Sequence, residues 1–255
     1  MAYTLEDLQK FALTGNGVGL ARGQGGQLPV TMFGRNADVD IASGYEDLWT
    51  QGGTWAAPTV ARTHALVSDS AADAAAGTGA RTVTVYGLNA SYALASEIVT
   101  LNGVTPVNTA ATYIMIYRLA VATAGSGGVN AGAITATAAT DSTVTCAIVA
   151  SMGESHQAIY QVPAGYTGYL LDFYGSAYSP AGAYTSDVKL LVKPFGAADL
   201  TKHLIGLAST TTPAQQVTCA IPIALAAKSI VRLAVTASAN DSTLTGGFDL
   251  VLVAD

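Results

Sequence analysis

The residues that could do chemistry in this chain are few, and their spacing keeps them apart. Three histidines, His64, His156 and His203, and two cysteines, Cys146 and Cys219, are the softer metal ligands and nucleophiles. Neither cysteine has a second one nearby, so the CxxC spacing that holds zinc is absent, and both sit in strand-like patterns that predict buried free thiols. The histidines are isolated from one another and from the thiols, which predicts ordinary packed or polar side chains. Asp38-Val39-Asp40 offers two carboxylates to a hard cation such as calcium, with Asp69 and Asp73 as further candidates. Calcium needs six or more oxygens held in an enforced geometry, so a solvated acidic loop is expected there and no metal or cofactor is assigned. Glycoside hydrolysis needs two carboxyl groups facing each other across a cleft. Glu97 and Glu154 are the glutamates of the strand-patterned region, and nothing in the sequence pairs them.

Nucleophile and nucleotide motifs fare no better. No Gly-x-Ser-x-Gly elbow exposes a serine. Gly15-Asn16-Gly17-Val18-Gly19 lacks the third glycine at the dinucleotide offset and has no strand before it, so it reads as a flexible linker. Between Ala74 and Asp187 the ionisable acids and bases thin out to Arg81, Glu97, Arg118, Asp141, Glu154, Asp172 and Asp187. Catalysis usually requires several titratable groups converging on one pocket, so the expectation is a protein that is not an enzyme. Of the twelve tyrosines, Tyr86, Tyr113, Tyr117, Tyr160, Tyr169 and Tyr174 fall in strand patterns. That placement favours core and interface packing, with a sugar-binding surface as the rival reading.

The bulk composition says what such a chain is made for. Only 11% of the 255 residues are charged, 50% are hydrophobic, and the net charge is −6. The scattered lysines and arginines leave no basic footprint for nucleic acid. No apolar run approaches the ~20 residues that span a bilayer as a helix. The first residues, Met-Ala-Tyr-Thr-Leu-Glu-Asp, show no basic and apolar leader pattern, so no secretion is expected and the Asn89-Ala90-Ser91 and Asn240-Asp241-Ser242 sequons carry no meaning. A mean hydropathy of +0.38 combined with many small alanines predicts a thin core and self-association as a dimer or trimer.

The elements that must position these residues are mostly strands. Thr4–Leu13 has a capping threonine, acids in its first turn and Leu5, Leu8 and Phe11 on one face, which predicts a short helix. The glycine-rich stretch that follows has little periodicity. Residues 1–53 are therefore expected to form an extended arm that wraps a neighbouring subunit, with Leu5, Leu8, Phe11, Trp49 and Trp55 as its interface anchors. From residue 54 to 255 the pattern is β, in one sandwich with a sub-boundary near 194–210. Arg81–Gly87, Glu97–Leu101, Tyr113–Leu119, Val144–Ile148, Gln157–Val162, Tyr169–Tyr174, Val188–Val192, Ser229–Val235 and Phe248–Val253 read as strands. Asn102-Gly103 predicts a two-residue hairpin, Pro163-Ala164-Gly165 a turn, and Ala198–Gly206 a short helix. Leu119–Val121 with Ala139–Thr145 echoes Leu233–Val235 with Asn240–Thr245, a pattern that a duplicated hairpin would produce.

Two segments carry a family resemblance. Gly79–Ala90, continuing through Ser96–Thr109, and the loop Ala124–Gly132 resemble tailed-bacteriophage virion proteins, over residues 50–195. The resemblance implies an all-β, jelly-roll-like sandwich in an accessory virion component, a capsid decoration (cement) protein or a head or tail fibre, and it transfers no catalytic residue. The implied partners are the major capsid protein or other virion proteins, further copies of the chain, and a surface glycan in the receptor-binding alternative. The implied location is the virion, assembled in the host cytoplasm.

Overall fold

The computed structural model describes residues 21, 23, 26–180, 182–208 and 212–255, and it is built from antiparallel strands. The expected helix Thr4–Leu13, with Leu5, Leu8 and Phe11, and the glycine run at 15–19 lie outside the described residues.

The strands fall into two sandwiches. The first uses β1 (Leu28–Val39) and the strands of the C-terminal half: β10 (Ile159–Gln161), β11 (Tyr166–Tyr178), β12 (Thr185–Lys193), β13 (Leu200–Ala208), β14 (Ala214–Leu225), β15 (Ile230–Ala237) and β16 (Ser242–Ala254). One sheet runs β1-β16-β11-β14 and the other β10-β15-β12-β13, with β2 (Glu46–Asp47) continuing the β10 edge beside β15. Along the chain the first of these eight strands pairs with the last, the second with the seventh, the third with the sixth and the fourth with the fifth. That nested pairing is a ribbon folded back on itself and wrapped into two sheets, which is a jelly roll. Its core holds Phe173, Phe248, Tyr160, Leu190, Leu233 and Leu250 between the sheets, as the alternating apolar positions of β11, β12, β15 and β16 require.

The second sandwich is inserted between the first and second jelly-roll strands. Its sheets are β6-β3-β8-β9, with β3 (His64–Ser68), β6 (Val107–Asn108), β8 (Ile134–Ala138) and β9 (Val144–Ile148), and β5-β4-β7, with β4 (Ala80–Leu88), β5 (Leu94–Thr100) and β7 (Met115–Ala124). Leu66, Val83, Val85, Tyr113, Leu119, Ile134 and Ile148 close a core of their own. The expected single sandwich over 54–255 is therefore two, and the boundary falls on either side of the insert rather than near 194–210.

The extended arm over residues 1–53 is corrected for its second half. β1 makes a ladder with β16 from Leu28↔Leu252 to Val39↔Ser242 and buries Met32 and Val39. The glycines of residues 28–53 break the alternation and so suggest an arm, yet Gly34 among them serves packing. Gly34, Gly246 and Gly175 are register partners across β1, β16 and β11. A Cβ on Gly34 would sit 2.2 Å from the Leu48 carbonyl oxygen, and one on Gly175 2.8 Å from the Val188 side chain. The bare row lets the facing sheet approach closely, so a helical or β hydrophobic pattern is missing where the packing is tightest.

Three smaller expectations also change. The helix expected at Ala198–Gly206 gives way to strand β13, Leu200–Ala208, because Ile205 and Leu207 alternate inward with period two against β12. Asn102-Gly103 turns the chain with Gly103 at φ 60°, but the strand beyond it pairs with β3 instead of returning along β5. The loop at 68–73 captures that turn: Ser68 N donates to Gly103 O (3.1 Å) and Gly103 N to Asp73 O (2.7 Å). The sequence echo is not a duplicated hairpin, since Asp241 links β15 to β16 in the other sheet whereas Asp141 lies between the paired strands β8 and β9, with Leu119–Val121 back in β7.

Candidate functional site

Where the two sandwiches meet, aromatic side chains from both gather. Trp49, Trp55, Leu88, Ile114, Met115 and Ile159 form a small core of their own at this junction. Trp49 and Trp55 are 5% and 4% exposed, so these expected arm anchors are buried inside their own chain instead of reaching a neighbour. Trp55 Nε1 donates to Thr145 O (2.9 Å) in the insert, and its backbone N donates to Asp47 Oδ2 (2.8 Å) in the jelly roll. Buried indoles of this kind bury roughly 150–250 Å² each, about 4–6 kcal/mol of gross stabilisation. Asp47 also pairs with Arg232 on β15, whose Nε lies 2.8 Å from Oδ1 without a hydrogen bond's alignment. Burial pushes the Asp47 carboxyl up, and the Arg232 charge opposes that shift.

Beside this junction lies a cleft of about 380 Å³. Its jelly-roll wall is the start of β1, Leu252 and Tyr160, and its inserted-sandwich wall is Tyr86, Leu94, Tyr117, Arg118 and Glu154. The ladder explains the grouping: Tyr86 on β4 is the register partner of Arg118 on β7. The chain at 153–155 then runs along the other side of β7, with Ser155 N bonded to Leu119 O, and so brings Glu154 beside Arg118. Arg118 Nη2 donates to Thr31 O (2.6 Å) across the cleft, and its Nε lies 3.5 Å from Glu154 Oε1. Tyr117 and Tyr160 meet edge to face with ring centroids 5.0 Å apart. Burial raises the Tyr160 hydroxyl's pKa, with Tyr117 and Tyr166 adding to the rise; burial also raises Tyr117, against the opposing charge of Arg118. Tyr160 is 1% exposed, and among the described residues none hydrogen-bonds the hydroxyls of Tyr86, Tyr117 or Tyr160.

The remaining candidates are dispersed. Tyr113 lies in the insert's core and donates to Glu97 Oε1 (3.0 Å), while Glu97 also accepts from Ala110 N and Ala111 N. Glu97 is thus a strap within the insert, and Glu154 belongs to the cleft. His64 is buried with its pKa lowered by that burial; His156 packs on Phe33 and His203 on Phe173. Cys146 is buried and Cys219 half-buried, and both are free. Asp38 and Asp40 cluster with Asp241, their carboxylate oxygens within 4.8 Å of one another. Asp69 and Asp73 are not their company: Asp69 accepts from Ala133 N and Asp73 is enclosed within the insert. The cluster works as a loop clasp, with Asp40 accepting from Asp241 N and Asn240 from Ile41 N.

The outer surface carries one feature that sequence reading missed. β14, Ala214–Leu225, is an edge strand with no charged residue, and Ile221 on it is 86% exposed. On β13, the edge strand of the facing sheet, Leu200 and Leu204 are 45% and 48% exposed. Charge-free apolar residues at 214–225 were visible in the sequence, but only the sheet order shows that they stand on an edge.

Comparison with known proteins adds little. No family model matches the chain, and no curated protein matches it significantly. Among solved structures, the VP2 subviral particle of infectious bursal disease virus aligns at 8% identity and a TM-score of 0.25, covering 89% of this chain and 72% of that one. The Gt strain of the same virus aligns at 9% identity with a TM-score of 0.22 over the same shares. Superpositions this loose carry no argument; the chain is an all-β protein of two sandwiches, one of them a jelly roll.

Proposed function

We propose that this chain is a virion structural protein, without catalytic activity, that decorates a tailed-phage head and stabilises it. The observation that carries the reading is the jelly roll with a charge-free edge strand on which Ile221 is 86% exposed. Natural edge strands are usually defended by charge, bulges or cover, because their free N–H and C=O groups recruit other chains. β14 carries no charge over twelve residues; Pro222 and a register shift against β11 interrupt its middle, and the stretches on either side remain without charge. Such an edge suits permanent contact with neighbouring copies in a dimer or trimer and with the major capsid protein beneath. The inserted sandwich then stands away from the contact surface, and the virion assembles in the host cytoplasm. The resemblance of Gly79–Ala90, Ser96–Thr109 and Ala124–Gly132 to tailed-phage virion proteins supports the same reading.

The test follows from linkage: a protein that binds the assembled lattice better than the loosened one stabilises the lattice. Heads lacking this protein are expected to release DNA at lower temperature or under osmotic shock while adsorbing to host cells normally. Robust heads with failed adsorption would assign the chain to a receptor-binding fibre instead.

A further inference from the structure

We infer that the cleft between the sandwiches binds a neutral sugar, at the scale of a mono- or disaccharide unit. Sugar recognition asks for two things at once: an aromatic surface against the apolar C–H face of the ring, and hydroxyl partners that both donate and accept. Tyr86 and Tyr117 supply rings, and Leu94, 41% exposed, extends the apolar wall. Tyr86, Tyr117 and Tyr160 all line the cleft, and among the described residues none hydrogen-bonds their hydroxyls. Tyr160, 1% exposed, packs edge to face on Tyr117 and backs that ring. Arg118 and Glu154 stand side by side at 3.5 Å, a donor fork next to an acceptor, which matches two vicinal hydroxyls. Their charges cancel. A carboxylated or phosphorylated sugar would meet Glu154 with no spare cation, and the net charge of −6 adds to that penalty. The volume of about 380 Å³ lies at the small end of ligand clefts, which run roughly 300–1,000 Å³.

Both walls contribute, so a bound sugar ties the insert to the jelly roll. The inference does not rest on the virion reading, and either can fail while the other stands. Saturation-transfer NMR and calorimetry with neutral glucose, galactose and mannose di- and trisaccharides provide the test, with galacturonate oligomers as the charged arm. At least one neutral sugar is expected to bind with a dissociation constant of about a millimolar or below, and Tyr86→Ala or Glu154→Gln to weaken it about tenfold or more. Tyr86→Phe keeps the packing ring and is the substitute where the alanine variant fails to fold; Tyr169→Ala, on the jelly roll away from the cleft, should leave binding intact. The inference is overturned if no neutral sugar binds at a concentration of about ten millimolar, if binding survives both cleft substitutions, or if galacturonate binds as tightly as its neutral counterpart.

Discussion

Asp73 is the residue whose replacement tests the architecture of the insert most sharply. It is fully buried, and its carboxylate accepts from Ala80 N (2.7 Å) and Ala131 N (2.8 Å) through Oδ1 and from Ser68 Oγ (2.6 Å) and Gly132 N (2.9 Å) through Oδ2. It thereby fastens three loops at one end of the inserted sandwich. In Asp73→Asn the amide must take one side. Placed toward Ser68, whose hydroxyl can turn to accept, it leaves the Gly132 N–H without an acceptor. One orphaned donor costs about 1–3 kcal/mol, and the surviving bonds lose their charge assistance, so the expected loss is about 2–4 kcal/mol. A loss of about 3 kcal/mol lowers the midpoint by roughly 12–24 °C if the insert, about a hundred residues, melts alone, and roughly half that if both sandwiches melt together. Differential scanning calorimetry distinguishes these. The pH dependence is a second readout. Burial alone would raise the Asp73 carboxyl, but the bonds from Ser68, Ala131, Gly132 and Ala80 outweigh it and hold it below the usual carboxylate range. Because the folded group titrates below the unfolded one, its stabilisation is present above the unfolded pKa and is lost as pH falls through the folded pKa. The asparagine variant should therefore lose less stability than the wild type over that acid interval. A variant within about 0.5 kcal/mol of wild type, or one with an unchanged acid limb, would refute the reasoning.

Three further outcomes are expected. Ile221→Lys on the β14 edge should leave unfolding within about 0.5 kcal/mol of wild type while abolishing self-association in sedimentation velocity; an unaltered oligomer places the interface elsewhere. Burial pushes the Cys146 thiol up to about 12, so at neutral pH a thiol reagent should modify half-buried Cys219 and reach Cys146 only on unfolding; prompt labelling of both would contradict the packing around β9. Deleting residues 1–53 removes β1 and the buried Trp49, and should abolish cooperative melting of the jelly roll by circular dichroism, whereas a stable truncated protein would return residues 28–53 to the status of an arm.

Period-two alternation of apolar residues determined the strand class, since inward Val83 and Val85 or Val188 and Leu190 are legible wherever one face is buried. The isolation of the histidines and cysteines was legible in the same way, because residues far apart in sequence with no local motif have no local reason to converge. The topology had no such signature. Only tertiary structure decided that β1 pairs with β16 more than two hundred residues away, which turned residues 28–53 from an arm into a jelly-roll strand and made the chain two sandwiches. Gly34 shows why: a position chosen for close backbone approach looks, in sequence, like a loop. The cleft is the same lesson for function. Tyr86, the neighbours Tyr117 and Arg118, Glu154 and Tyr160 lie on four segments, and the register of β4 with β7 together with the docking of two cores brings them to one cleft. Side-chain type and local period are properties of the chain; which faces meet depends on long-range pairing, whose stabilisation comes from burial that no local segment can achieve alone.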